Sequence, residues 1–292
     1  MSVVLIAGAS GLFGSHASAA FAQAGWEVRR YQRGTDMAAA AMGADVIVNA
    51  MNPPNYHNWA KLVPQITAQV LDAARKSGAT VLVAGNVYNY GTALGPWGPE
   101  TPQHPQTRKG KIRVQMEADY RASGLPVIIL RGGDYLDAKG LAQGMKHELA
   151  ALSKGKITPF GAPDVPRAYA YLPDMARAAV LLVQRRADLP RFADIPFAGV
   201  TFSMAEMKRS FEQMSGRTIR WGKFPWALMV LTAPFWEMAR ELLEMRYLHN
   251  LPHSLDPAPM AAILPDFSAL DFAEVMAIQA QAYGLISTQT GR

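Results

Sequence analysis

The chain has 292 residues, half of them hydrophobic and 18% charged, with a formal net charge of +6 and no cysteine. That composition suits a globular α/β protein large enough for a nucleotide-binding domain and a smaller companion, and it excludes disulfides, thiolate catalysis and cysteine-bound metals. Outside residues 107–117 the cations are scattered and not interleaved with aromatics, so the expected partner is a small, anionic molecule rather than nucleic acid.

The chain opens on "MSVVLIAGAS", which has no basic n-region and runs straight into glycines. Residues 3–8 therefore read as a strand, not a signal peptide, and a cytoplasmic protein is expected. A helix follows at 12–24, a strand at 26–32, a very short helix at 36–42 and a strand at 45–50. The rhythm continues with a helix at 58–77, a strand at 80–85, a helix near 107–123 and a strand at 126–131. Near-continuous apolar strands alternating with helices predict a parallel sheet covered on both faces. Right-handed crossovers make it a doubly wound, Rossmann-type α/β fold, with a ligand crevice at the strands' carboxyl ends.

Beyond a Gly/Pro-rich loop at 155–166, residues 167–186 read as an extended piece followed by a helix. From 200 onward helices dominate, interrupted by prolines. The expected division is a dinucleotide domain at 1–155 and a mainly helical substrate lobe at 156–292, with segments around 168–200 returning to the sheet. The longest apolar stretch, "WALMVLTAPFW" (226–236), is too short to span a bilayer and contains Pro234. Leu228, Leu231, Phe235, Met238, Leu242 and Met245 recur at spacings of three or four, which predicts core packing. A wall of the substrate cavity is favoured over attachment to a membrane.

Gly8, Gly11 and Gly14 lie directly after the first strand at GxxGxxG spacing. The first permits a tight turn, the second lets a pyrophosphate approach the backbone, and the third lets the helix pack closely on the sheet. Ser10 and the start of the helix at Leu12 and Phe13 complete a phosphate-binding loop. At the end of the second strand, Gln32 stands where an NAD binder usually carries an acid, and Arg33 follows it, with Arg30 nearby. Asp36 reads as a helix cap. This chemistry favours NADP over NAD. Ala50, Met51 and Asn52, after the third strand, are expected against the cofactor; Tyr56 or Trp59 just beyond could flank nicotinamide or substrate.

These residues resemble the extended short-chain dehydrogenase/reductase family, the NAD-dependent epimerase/dehydratase group, over about the first 180 positions. "GASGLFGSH" is similar to its glycine loop, "PETPQHP" to its Glu-Thr-x-Pro-x-x-Pro segment, "VIILRGGDYLD" to its Arg-Pro-Gly-Asn strand and "AYLPDMARA" to its Tyr-Val-x-Asp element. The resemblance implies hydride exchange assisted by a serine, a tyrosine and a lysine. Counting back from Glu117 puts Arg113 at the lysine and Lys109 at the tyrosine, and aligning "NYG" puts Asn86 at the serine. All three depart from the pattern, as in the family's atypical members.

Two readings follow. In one, the chain is an oxidoreductase or epimerase-like enzyme on a carbonyl or alcohol, nucleotide sugars included. Three neighbouring cations would disfavour the protonated form of Lys109, leaving an amine able to act as a base, while Arg113 holds ribose or a substrate anion. Tyr88 and Tyr90 could supply a phenol instead. In the other, the chain binds NADP(H) without turnover, as a sensor. The stretch "TRKGKIRVQME" (107–117) sets four cations and a glycine at a helix N-terminus, where both are unfavourable. A facing anion would account for them; a solvated basic face would serve if the helix began near Pro105. No serine sits on a nucleophile elbow. His249 and His253 stand four apart with Pro252 between them, so no metal is expected. A homodimer is compatible with the sequence.

Overall fold

The computed structural model describes residues 1–137, 139 and 143–287. Its strands, in chain order, are β1 (Val3–Ala7), β2 (Glu27–Arg30), β3 (Val46–Asn49), β4 (Thr80–Gly85), β5 (Val127–Arg131), β6 (Asp134–Leu136), β7 (Lys156–Ile157), β8 (Arg167–Tyr171), β9 (Phe192–Pro196), β10 (Val200–Phe202) and β11 (Arg220–Trp221). The α-helices are α1 (Leu12–Gln23), α2 (Met37–Ala41), α3 (Trp59–Ser77), α4 (Arg108–Ala122), α5 (Gln143–Glu148), α6 (Leu172–Gln184), α7 (Met204–Ser215), α8 (Trp226–Thr232), α9 (Glu237–Met245), α10 (Ala258–Ile263) and α11 (Phe272–Ala282).

The main sheet has the order β2-β1-β3-β4-β5-β9, and every neighbouring pair in it is parallel. Its central strands are apolar on both faces because both faces are covered. On one side Phe13, Ala17 and Phe21 of α1 meet Met175, Ala179 and Leu182 of α6. On the other, Met37 of α2, Val63, Val70 and Leu71 of α3 and Met116 and Tyr120 of α4 form a second core. All six strands point their carboxyl ends the same way, and the order reverses between β1 and β3. That reversal opens a crevice at the end of β1.

The remaining strands build the lobe above that edge. A three-stranded sheet, β10-β8-β6, packs with α7 and α11 around Tyr169, Phe202, Met207, Phe211 and Val275. The reading that helices dominate from 200 onward passes over β10 and β11, because strands of two or three residues show too little alternation to register. No helix among the described residues is long and apolar enough to cross a membrane.

Candidate functional site

The glycine loop is built by contact, not merely by flexibility. Gly8 has φ 89°, and a Cβ there would lie 2.7 Å from Ala50 O. A Cβ on Gly14 would lie 2.1 Å from Gly8 O, so α1 seats directly on the loop. Gly11 caps α1 without a side-chain hydrogen bond. The amides of Leu12, Phe13 and Gly14 therefore open the helix toward the crevice with no intrahelical acceptor. The Phe13 ring itself is buried in the core, so only its backbone can serve a ligand.

Beside this loop lies a cavity of about 470 Å³ lined by Gly8, Ala9, Ser10, Arg30, Tyr31, Arg33 and Met51. Among the described residues neither Arg30 nor Arg33 enters an ion pair, whereas Arg29 is taken by Glu27 at 2.7 Å. The one nearby carboxylate, Asp36, accepts the Ala38 and Ala39 amides at 2.8 and 3.2 Å and caps α2. The cavity thus carries positive charge and hydrogen-bond donors suited to an anion.

After β3 the chain turns through "MNPPNYHN", where Asn55, Tyr56 and Asn58 adopt positive φ (54°, 59° and 49°). Asparagine tolerates this region; for tyrosine it is strained by roughly 1–3 kcal/mol. The turn delivers the Tyr56 hydroxyl to 3.2 Å from that of Tyr88 and sets the Tyr56 ring beside Trp59, at 5.4 Å between centroids. Burial raises the pKa of both phenols, Tyr88's well above the ordinary value, so both stay protonated at neutral pH.

Helix α4 begins where the charge pattern is least favourable. Thr107 caps it by accepting the Gly110 amide at 3.1 Å, so the helix starts at Arg108 and not near Pro105. Gly110 is there for space: a Cβ would lie 2.5 Å from Tyr88 O and 2.6 Å from the Pro105 Cβ. The cations then divide. Lys109, fully buried, forms ion pairs with Glu241 and, at 2.8 Å, with Glu244 of α9. Arg108 reaches Glu241 at 2.5 Å. Burial pushes the Glu244 carboxyl up, but the Lys109 ammonium and amide and Arg108 outweigh it and hold it below the usual range. The expectation that cations crowd Lys109 into a free base fails: its neighbours are carboxylates, and its Nζ lies over the Tyr56 ring at 4.7 Å.

Arg113 differs. It is 7% exposed, and no carboxylate pairs with it among the described residues. Its Nη2 donates to Asn52 Oδ1 at 3.1 Å, its guanidinium lies 4.9 Å from the Trp59 ring, and its buried Nε has no acceptor. Burial lowers its pKa from the ordinary arginine value. A buried polar group left without a partner in this way asks for an explanation.

Of the other expected residues, Asn86 folds back to accept the Tyr88 amide at 3.1 Å. Tyr90 is removed from the crevice: fully buried, it donates to Gly98 O at 3.2 Å and packs on Trp97. His249 and His253 are likewise engaged. His249 Nδ1 meets Arg167 Nη1 at 2.5 Å, and His253 stacks on Trp97 at 4.6 Å. Among the described residues no group of three side chains could hold a metal.

Residues the sequence did not single out complete the site. Arg167, at the head of β8, pairs with Asp134 at 3.0 Å and Glu148 at 3.3 Å. The Asp134 charge favours the protonated forms of Tyr56, Tyr88 and His249. Glu241 and Glu244 could have been suspected, as two carboxylates three apart on a helix with four cations elsewhere in need of partners. Asp134 and Arg167 left no local signal; the pairing of β6 with β8 brings them together.

The core expectation for 226–245 is also corrected. Met245 is buried, but Leu228, Leu231 and Phe235 are 49%, 73% and 94% exposed. Periodicity identifies an apolar face without saying whether the protein covers it.

Solved structures resemble the whole chain in fold. UDP-glucose 4-epimerase from Brucella ovis, in complex with NAD, is 18% identical with a TM-score of 0.72 over 97% of this chain and 99% of that one. UDP-glucuronic acid 4-epimerase from Bacillus cereus, in complex with UDP-glucuronic acid and NAD, is 14% identical with a TM-score of 0.74 over 97% and 99%. A nucleoside-diphosphate-sugar epimerase from Pseudomonas aeruginosa is 16% identical with a TM-score of 0.69 over 98% and 99%. No curated protein matches the chain significantly in sequence. The sequence profile of one family does match, over residues 4–195, and this covers the glycine loop, the phenol pair, Arg113 and the strand that closes the sheet. The chain belongs to the NAD dependent epimerase/dehydratase family.

Proposed function

We propose that this chain is an NADP(H)-dependent oxidoreductase of the epimerase type, acting on a small carbonyl or alcohol substrate of which nucleotide sugars are the first candidates. The observation that carries it is Arg113: a buried guanidinium with an open Nε that, among the described residues, forms no ion pair, bonded to Asn52 just after β3 and set beside the Trp59 ring. Retaining an uncompensated buried charge is costly unless a ligand completes it. The NAD complexes of the structures similar in fold support a nicotinamide dinucleotide. Arg33 and Arg30, with Gln32 in the usual acidic place, favour a 2′-phosphate on it.

When bound, the dinucleotide supplies or takes up a hydride at the substrate's carbinol carbon. The chain's own part is the proton and the geometry. Tyr88, kept protonated by burial, donates its hydroxyl proton to the substrate oxygen as the hydride is added; Tyr56, 3.2 Å away, passes its own proton to the Tyr88 phenolate and regains one from solvent at its partly exposed edge. Arg113 fixes ribose hydroxyls or a substrate anion, and the Lys109–Glu241–Glu244 cluster holds the lobe over the crevice.

A second reading, NADP(H) binding without turnover, is favoured by one observation: Lys109, in the family's tyrosine position, is closed off by two carboxylates. Calorimetry with NADPH and NADH, followed by NADPH oxidation against carbonyl compounds and nucleotide sugars, separates the two. The enzyme reading expects tighter NADPH binding, turnover of at least one substrate, and a loss of about 10²-fold or more in kcat for Tyr88→Phe with the NADPH Kd unchanged. Tight binding with no turnover favours the sensor, and no heat with either nucleotide removes both.

A further inference from the structure

Half of the large hydrophobic side chains exposed among the described residues lie in the segment expected in the core. Leu228, Val230, Leu231, Phe235 and Trp236 are 48–94% exposed within nine residues of α8 and its turn into α9. The segment is firmly rooted: Trp226 Nε1 donates to Phe160 O at 3.0 Å, and the Phe160, Phe224 and Trp226 rings pack together. Arg240 donates to Ala233 O at 2.8 Å, fixing the corner behind Phe235. A rooted apolar tip of this size calls for a partner.

Its surroundings say which. Arg217, Arg220, Lys223, Arg240 and Arg246 are all exposed, and among the described residues none of the five is in an ion pair. The three acids of the same stretch are all engaged: Glu237 with His57, and Glu241 and Glu244 with Arg108 and Lys109. The segment that carries the tip, residues 217–246, thus holds five exposed cations and three acids that are all taken up by partners. A second copy docking through the same segment would set these cations against their own copies, since a two-fold interface places the same patch on both sides. A bilayer surface with anionic headgroups meets both requirements, accepting aromatic and aliphatic side chains at the acyl boundary and cations in the headgroup layer.

We propose that α8 and the α8–α9 turn dock this protein on anionic lipid surfaces as a peripheral, non-spanning anchor. Because α9 also carries the carboxylates that bind Lys109, docking would set the crevice beside the bilayer.

Co-sedimentation of the full chain with phosphatidylcholine vesicles, with and without phosphatidylglycerol, tests this. Binding to the anionic vesicles is expected, weakened by salt and reduced at least tenfold by Leu231→Ser with Phe235→Ser, which touch only exposed positions. Arg220→Gln with Lys223→Gln should weaken it about fivefold per charge on anionic vesicles only. No binding to anionic vesicles at low salt overturns the proposal, as does equal binding by Leu231→Ser/Phe235→Ser. So does an ultracentrifugation result in which the wild type is a dimer that these serines dissociate, because the tip would then be covered by a second copy.

Discussion

The first turn of α4 and its second turn carry buried cations with opposite surroundings. Lys109 is met by two carboxylates from a helix more than 130 residues away in sequence. Arg113, one turn on, faces an amide, an aromatic ring and a methionine sulfur, and keeps an open N–H. One cation is a completed joint; the other is left with an open donor, which is why the proposed site is centred on it. Buried charge alone therefore does not separate the two; the presence or absence of a counterpart does.

The sharpest way to break this comparison is to exchange the consequences. Lys109→Ala removes the joint and leaves Glu241, 2% exposed, with Arg108 as its remaining ion-pair partner. A loss of about 3–5 kcal/mol in unfolding free energy is expected, read by urea denaturation. Arg113→Met should do the reverse: stability unchanged or raised by about 1 kcal/mol, with NADPH affinity down roughly ten- to hundredfold in calorimetry. If Arg113→Met destabilised the fold as much as Lys109→Ala, the two cations would be equivalent and the site reading would fail.

Arg167 offers an intermediate case, with two carboxylates and a neutral imidazole as partners. Burial, and then the Arg167 guanidinium, hold the His249 pKa down to about 4. An unfolded histidine titrates near 6.5. Between those values the unfolded chain takes up a proton that the folded chain refuses. The His249 contribution is therefore flat above about pH 6.5, falls as pH drops toward 4, and is flat below. The difference in stability between wild type and His249→Asn should change by about 3 kcal/mol across that window. A pH-independent difference would mean that His249 protonates freely in the folded state.

What the sequence made legible follows the range of the interactions. The glycine loop, the Asp36 cap and the alternating strands are encoded within a few residues, and they stand as read. Lys109 and Glu241 meet only because the lobe folds back onto α4, and nothing near either residue announces the other. Tyr90 looked equivalent to Tyr88 two positions earlier; the short helical turn at Tyr88–Tyr90 sends one ring to Tyr56 and Trp59 and the other to Trp97. Leu231 and Phe235 have the spacing of core residues because an anchor and a core present the same periodicity.

Lys111 provides the smallest and cleanest test of why this helix begins with cations. It is exposed, forms no ion pair among the described residues, and sits within the first turns of α4, where the unsatisfied amides already carry partial positive charge. If Arg108 and Lys109 are present for Glu241 and Glu244, then Lys111, which reaches neither, retains only the dipole penalty. Lys111→Gln should then raise stability by roughly 0.3–1 kcal/mol and leave NADPH binding unchanged. A loss of stability would show that the whole basic turn, not two of its members, is matched to the lobe, and Arg113 would lose its standing as the one cation left open for a ligand.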